Sequence, residues 1–251
     1  MNTFHDILRA THIGFGAVGL LVFWIPVFAK KGGRIHKRAG TIFKFCVYVV
    51  GTSACISAAW AILHPYSWGR MPANVTPEEA ASTARQIRGI GLFLGSLGLT
   101  TLVAVRSGIL AIRYRRDPKA LSGPGIVALS TACLLAGIAA IVNGILTKMY
   151  LFAGVGLIPV LGGWSALAVA RKPPTERMGW WYEHMSNMLG AGIAFYTAFL
   201  VFGAGRVFGI SFEPPLSFLP WLGPTLVGIP VITIWTNKYK RKFARGAESP
   251  V

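Results

Sequence analysis

The sequence predicts an all-α, polytopic transmembrane bundle of seven spans in a single integral membrane domain, 1–251. Three observations carry that prediction. Of the 251 residues, 53% are hydrophobic and only 13% charged, about half the charged share of a soluble domain. Seven apolar runs approach the roughly 20 residues a helix needs to cross a bilayer. The cations cluster between those runs, not in a domain of their own.

The runs are 7–28, 41–63, 89–112, 125–146, 149–170, 180–204 and 221–236. The last is short and carries Pro224 and Pro230. Thr147 and Lys148 alone separate the fourth from the fifth, which predicts a tight turn between antiparallel helices. Ahead of the third run, Thr76-Pro77-Glu78-Glu79 reads as a helix start, with Thr76 the cap and Glu79 completing a capping box. A helix over 77–112 would be about 54 Å long, more than a bilayer core. A bend near Gly89 or Gly91, or an extension along the headgroups, would accommodate it. Gly91-x-x-x-Gly95 is a small-residue face, and packing inside one bundle is favoured over a dimer contact. Pro159 lies mid-run in the fifth span and should kink it.

Lys and Arg total 25 against 8 Asp and Glu, a net charge of +17. Sorted by alternate loops, 18 cations fall on one side and 6 on the other, with Arg106 inside the third span. Cytoplasmic loops carry the excess of Lys and Arg, so the N-terminus is expected outside and the C-terminus in the cytoplasm. No signal peptide is expected, because the basic cluster follows the first apolar run. Nucleic acid is not an expected partner. The expected partner is a bilayer with anionic headgroups, with Lys30, Lys31, Arg34, Lys37 and Arg38 of the first inner loop as headgroup contacts. Other subunits of a membrane complex form the remaining partner class.

Ionisable groups are costly within spans and invite a functional reading. The candidates for a ligand site are His12, His36, Asn143, Glu183, His184 and Asn187. A metal or haem site is the sharper alternative, since neutral imidazole is a common metal ligand. In the expected topology His12 and His184 are roughly 20 Å apart across the membrane, so one ion would not join them. Two sites, His12 with His64 and His36 with His184, would be needed; His36 and His64 lie at span ends. Neither H-E-x-x-H nor a P-loop is present. Cys46, Cys55 and Cys133 lie in apolar runs without C-x-x-C spacing, and read as packing residues. No cofactor follows from any motif.

Three stretches resemble a known family. The first runs from Thr11 to Phe43 and contains Lys31, Gly32, His36 and Gly40. The second is the helix with His184, Met188, Gly190, Ile193, Ala194, Thr197, Ala198 and Phe199. The third has Trp221, Pro224, Gly228 and Pro230. Together they resemble the bacterial multi-pass membrane proteins catalogued as domain of unknown function 2306. The resemblance implies a bacterial inner membrane protein and directs attention to His12, His36 and His184; it implies no activity. On the residues themselves, a non-enzymatic bundle that binds or conducts a small molecule or ion is the first reading. A membrane-embedded haem or metal oxidoreductase and an accessory subunit are the alternatives.

The charge asymmetry has a direct test. A reporter fused after Arg245 should be cytoplasmic and one inserted near Asn74 external; both on one face would contradict seven spans.

Overall fold

The computed structural model describes residues 3–68, 75–117, 119–209, 213 and 216–248. Arg70 and Asn74 lie outside the described residues. Seven helices are long and apolar enough to cross a bilayer, and no strand occurs among the described residues. They are α1 (Thr3–Phe28), α2 (Arg34–Leu63), α3 (Pro77–Tyr114), α4 (Pro124–Leu146), α5 (Tyr150–Arg171), α6 (Gly179–Phe208) and α7 (Leu219–Glu248). This is a multi-pass membrane architecture. By its internal contacts the chain divides into two compact units: residues 1–106 with 122–173, and 107–121 with 174–251.

Local chemistry explains most helix boundaries. The Thr76 backbone N–H donates to Glu79 Oε2 at 2.8 Å, and the Glu79 N–H donates back to Thr76 Oγ1 at 3.3 Å. This is the expected capping box, and it starts α3 at Pro77. From there α3 runs uninterrupted for 38 residues, about 57 Å; no break occurs at Gly89 or Gly91. The Thr147–Lys148 turn forms as expected, with Lys148 taking the left-handed conformation at φ 58°. In α5, Pro159 has no N–H for the Val155 carbonyl, and the helix is interrupted beside it, at Gly156. The seventh helix keeps its course through Pro224 and Pro230 and extends well beyond the expected end. In α6, a π-turn over Phe199–Gly203 joins Gly179–Ala198 to Ala204–Phe208.

Within the first unit the small residues of α3 meet those of α2. A Cβ on Gly91 would lie 2.9 Å from Ala61 Cβ, and one on Gly95 2.9 Å from Ala58 Cβ. One on Gly98 would lie 3.0 Å from Cys55 Sγ and 3.2 Å from the Gly51 carbonyl oxygen. The Gly91-x-x-x-Gly95 face is therefore a contact inside the bundle, where missing side chains let two backbones approach. Helices α4 and α5 use the same device: a Cβ on Gly163 would sit 2.7 Å from the Ser130 carbonyl oxygen. Phe93 of α3 is fully buried and stacks on Phe152 at 4.2 Å. All three cysteines are free, and the Cys133 thiol donates to the Pro159 carbonyl at 3.4 Å.

Two glycine substitutions should separate packing from propensity. Gly98→Ala must push α2 from α3 and should cost about 1–3 kcal/mol. Gly14→Ala meets nothing within 4 Å and should stabilise by about 0.4–1 kcal/mol through helix propensity. Denaturant or thermal unfolding of the purified protein reads both. Equal effects at the two positions would contradict the assignment of Gly98 to a helix contact.

Candidate functional site

Helical periodicity turns each candidate toward a neighbouring helix. In the first unit, His12 of α1 meets α2, with Nδ1 2.9 Å from Ser53 Oγ. The Ser53 hydroxyl donates to the Val50 carbonyl at 3.0 Å. Ser53 is buried, 4% exposed, so the pair is an interhelical hydrogen bond of the kind that replaces water in a bilayer. Asn143 of α4 faces α3: its Nδ2 lies 2.6 Å from where a Cβ on Gly89 would stand. Among the described residues, no group of three His, Cys, Asp or Glu side chains could hold a metal ion.

The first inner loop works differently from its sequence reading. Helix α1 ends at Phe28 with last-turn carbonyls that no following turn can satisfy. Gly32, at φ +75°, reverses the chain and brings Lys31 and His36 back to that end. The Lys31 ammonium donates to the Pro26 carbonyl at 2.9 Å and also to the Val27 carbonyl. His36 Nδ1 donates to the same Pro26 oxygen at 3.0 Å. Both residues therefore cap the negative end of the α1 dipole. Burial pulls the Lys31 ammonium below its ordinary lysine range. Lys30, Arg34, Lys37 and Arg38 are exposed. Of the five expected headgroup contacts, Lys31 is turned inward.

The second unit gathers Glu183, His184 and Asn187 near the start of α6. Glu183 and Asn187 are one helical turn apart, and His184 and Asn187 three residues apart, so all three share a face. His184 Nδ1 donates to the Gly108 carbonyl of α3 at 2.9 Å. The approach is close: a Cβ on Gly108 would lie 2.6 Å from Met188 Cε, which would have to move, and 3.3 Å from Asn187 Cβ. Asn187 Nδ2 donates to the Glu183 carbonyl at 2.8 Å and to Glu183 Oε2 at 3.3 Å. All three side chains are half-buried. Among the described residues the one ion pair joins Lys240 to Glu176; the Glu183 carboxylate pairs with none.

The donor and acceptor tally of this face is lopsided. Asn187 spends its N–H groups on Glu183, leaving its Oδ1 as an acceptor. With the Glu183 carboxyl oxygens, the face is rich in acceptors. Gly108 and Ser53, which complete the histidine contacts, were not among the sequence candidates. Their only advance signals were a glycine and a serine inside apolar runs.

No family model matches the chain, and no curated protein or solved structure matches it either.

Proposed function

We propose that this chain is a seven-helix protein of the bacterial cytoplasmic membrane that binds or conducts a small monovalent cation at Glu183, His184 and Asn187. The observation that carries the reading is the Glu183 carboxylate. It is half-buried in an apolar span, and among the described residues its only polar side-chain contact is a 3.3 Å amide bond from Asn187. A carboxylate in such a setting is stabilised by a counter-charge, the alternative being to take up a proton. The Asn187 amide oxygen supplies a further acceptor, so one positive charge balances the ionised site. The placement of the N-terminus outside and the C-terminus inside rests on the loop charges. Membership of the family named above rests on the three stretches that resemble it.

A second reading has one observation in its favour. Metal-binding histidines usually donate the other ring nitrogen to a carbonyl, as His36 and His184 do here. A haem or metal oxidoreductase therefore stays the alternative.

Thermal unfolding of the purified protein distinguishes these. Potassium or ammonium chloride should raise the melting temperature saturably above N-methylglucamine chloride at equal ionic strength. A concentration of 100 times Kd gives about 2.7 kcal/mol. Glu183→Gln should abolish the increment while leaving the baseline near that of the wild type. No cation-specific shift, or the same shift in the variant, would contradict the reading. A Soret band or stoichiometric metal in the same preparation would replace it with the oxidoreductase.

A further inference from the structure

The second unit carries a feature that the polar site does not use. Three separate chain segments bring their cations and aromatic rings to one end of it. The end of α3 supplies Arg113, Arg115 and Arg116, all exposed. The start of α6 supplies Trp180, Trp181 and Tyr182. The last turns of α7 supply Tyr239 and Phe243, with Lys238, Lys240, Arg241 and Lys242 exposed.

Ring contacts tie the segments together. The Arg115 guanidinium lies over Trp180, 5.4 Å from the ring centroid. Trp181 packs on Tyr239 at 4.3 Å and on Phe243 edge-on at 5.6 Å. Lys240 lies 5.4 Å over the Tyr182 ring and 3.7 Å from Glu176. Tyr239 and Phe243 are four residues apart and half-buried, so one stripe of α7 is fastened to α6. Helix α7 continues past that anchoring to Glu248, with Lys238, Arg241 and Lys242 exposed.

The chemistry of this end identifies its occupant. Trp and Tyr side chains, with an apolar body and a polar tip, settle at headgroup level. Cations just beyond such a belt meet the phosphates of acidic lipids, and each contributes about 1 kcal/mol near an anionic surface. The carboxylates near this end, Asp117, Glu176, Glu183 and Glu248, are outnumbered by its seven exposed cations, and Glu176 is already paired with Lys240. We propose that this aromatic and basic end of the second unit is a docking surface for anionic phospholipid headgroups, with Arg115, Lys238, Arg241 and Lys242 as the phosphate contacts. The surface is separate from the first inner loop and does not depend on cation binding at Glu183.

Native mass spectrometry of the full chain in neutral detergent tests it, with phosphatidylglycerol and phosphatidylcholine as probes. The wild type should retain phosphatidylglycerol in preference, and rising salt should remove the preference. At roughly fivefold per cation, Lys238→Gln/Arg241→Gln/Lys242→Gln should weaken phosphatidylglycerol retention about a hundredfold and leave phosphatidylcholine unchanged. These side chains are exposed, so the melting temperature should hold. A matched Arg9→Gln/Arg85→Gln/Lys148→Gln variant, at exposed cations outside both basic clusters, controls for net charge. Equal loss in both variants would show a diffuse charge effect and overturn the assignment, as would no loss in the first. Displacement of phosphatidylglycerol by polyglutamate at equal charge concentration would reassign the surface to an acidic protein partner.

Discussion

Inside a bilayer core no water is at hand to satisfy a polar group, and that constraint organises this protein. Helices solve it along their length but leave carbonyls exposed at their ends and at prolines. Side chains from elsewhere in the chain then supply the donors. Lys31 and His36 close the end of α1 on Pro26. The Arg88 guanidinium closes α2 on the Ile62 carbonyl at 3.2 Å, and the Ser122 hydroxyl closes α5 on Ala170 at 2.7 Å. The Cys133 thiol reaches the Pro159 carbonyl beside the break in α5. Glycine performs the complementary task, removing side chains where backbones must meet.

The intramembrane histidines hold helices together. His12 bonds to the Ser53 hydroxyl and ties α1 to α2; His184 donates to the Gly108 carbonyl and ties α6 to the end of α3. The contact of His12 is with a neutral hydroxyl. Beside His184 stands Glu183, which forms no ion pair among the described residues.

Much of this was legible in the sequence where the cause is local. The spans follow from run length, the start of α3 from Thr76 and Glu79, the turn at Lys148 from the two-residue gap, and the break in α5 from Pro159. The small-residue face of α3 was readable as a contact, though not its partner. What the sequence hid depends on residues far apart in the chain: His12 with Ser53, His184 with Gly108, Trp181 with Phe243. Periodicity places a side chain on a face but does not say which helix that face meets. Lys31 was read as a headgroup contact because its charge is visible; the unsatisfied carbonyls that recapture it appear only once α1 ends at Phe28. The extension of α7 was missed because its polar residues end the apolar run, while the aromatic stripe that fastens it to α6 needs α6 in place.

The central claim is that the acceptor-rich face at Glu183 holds a monovalent cation. Anomalous diffraction from crystals of the protein soaked in rubidium chloride tests it most directly, because rubidium substitutes for potassium and scatters anomalously. A rubidium peak is expected in contact with the Glu183 carboxylate, absent from Glu183→Gln crystals. Rubidium confined to other carboxylates, with none at Glu183, would contradict it.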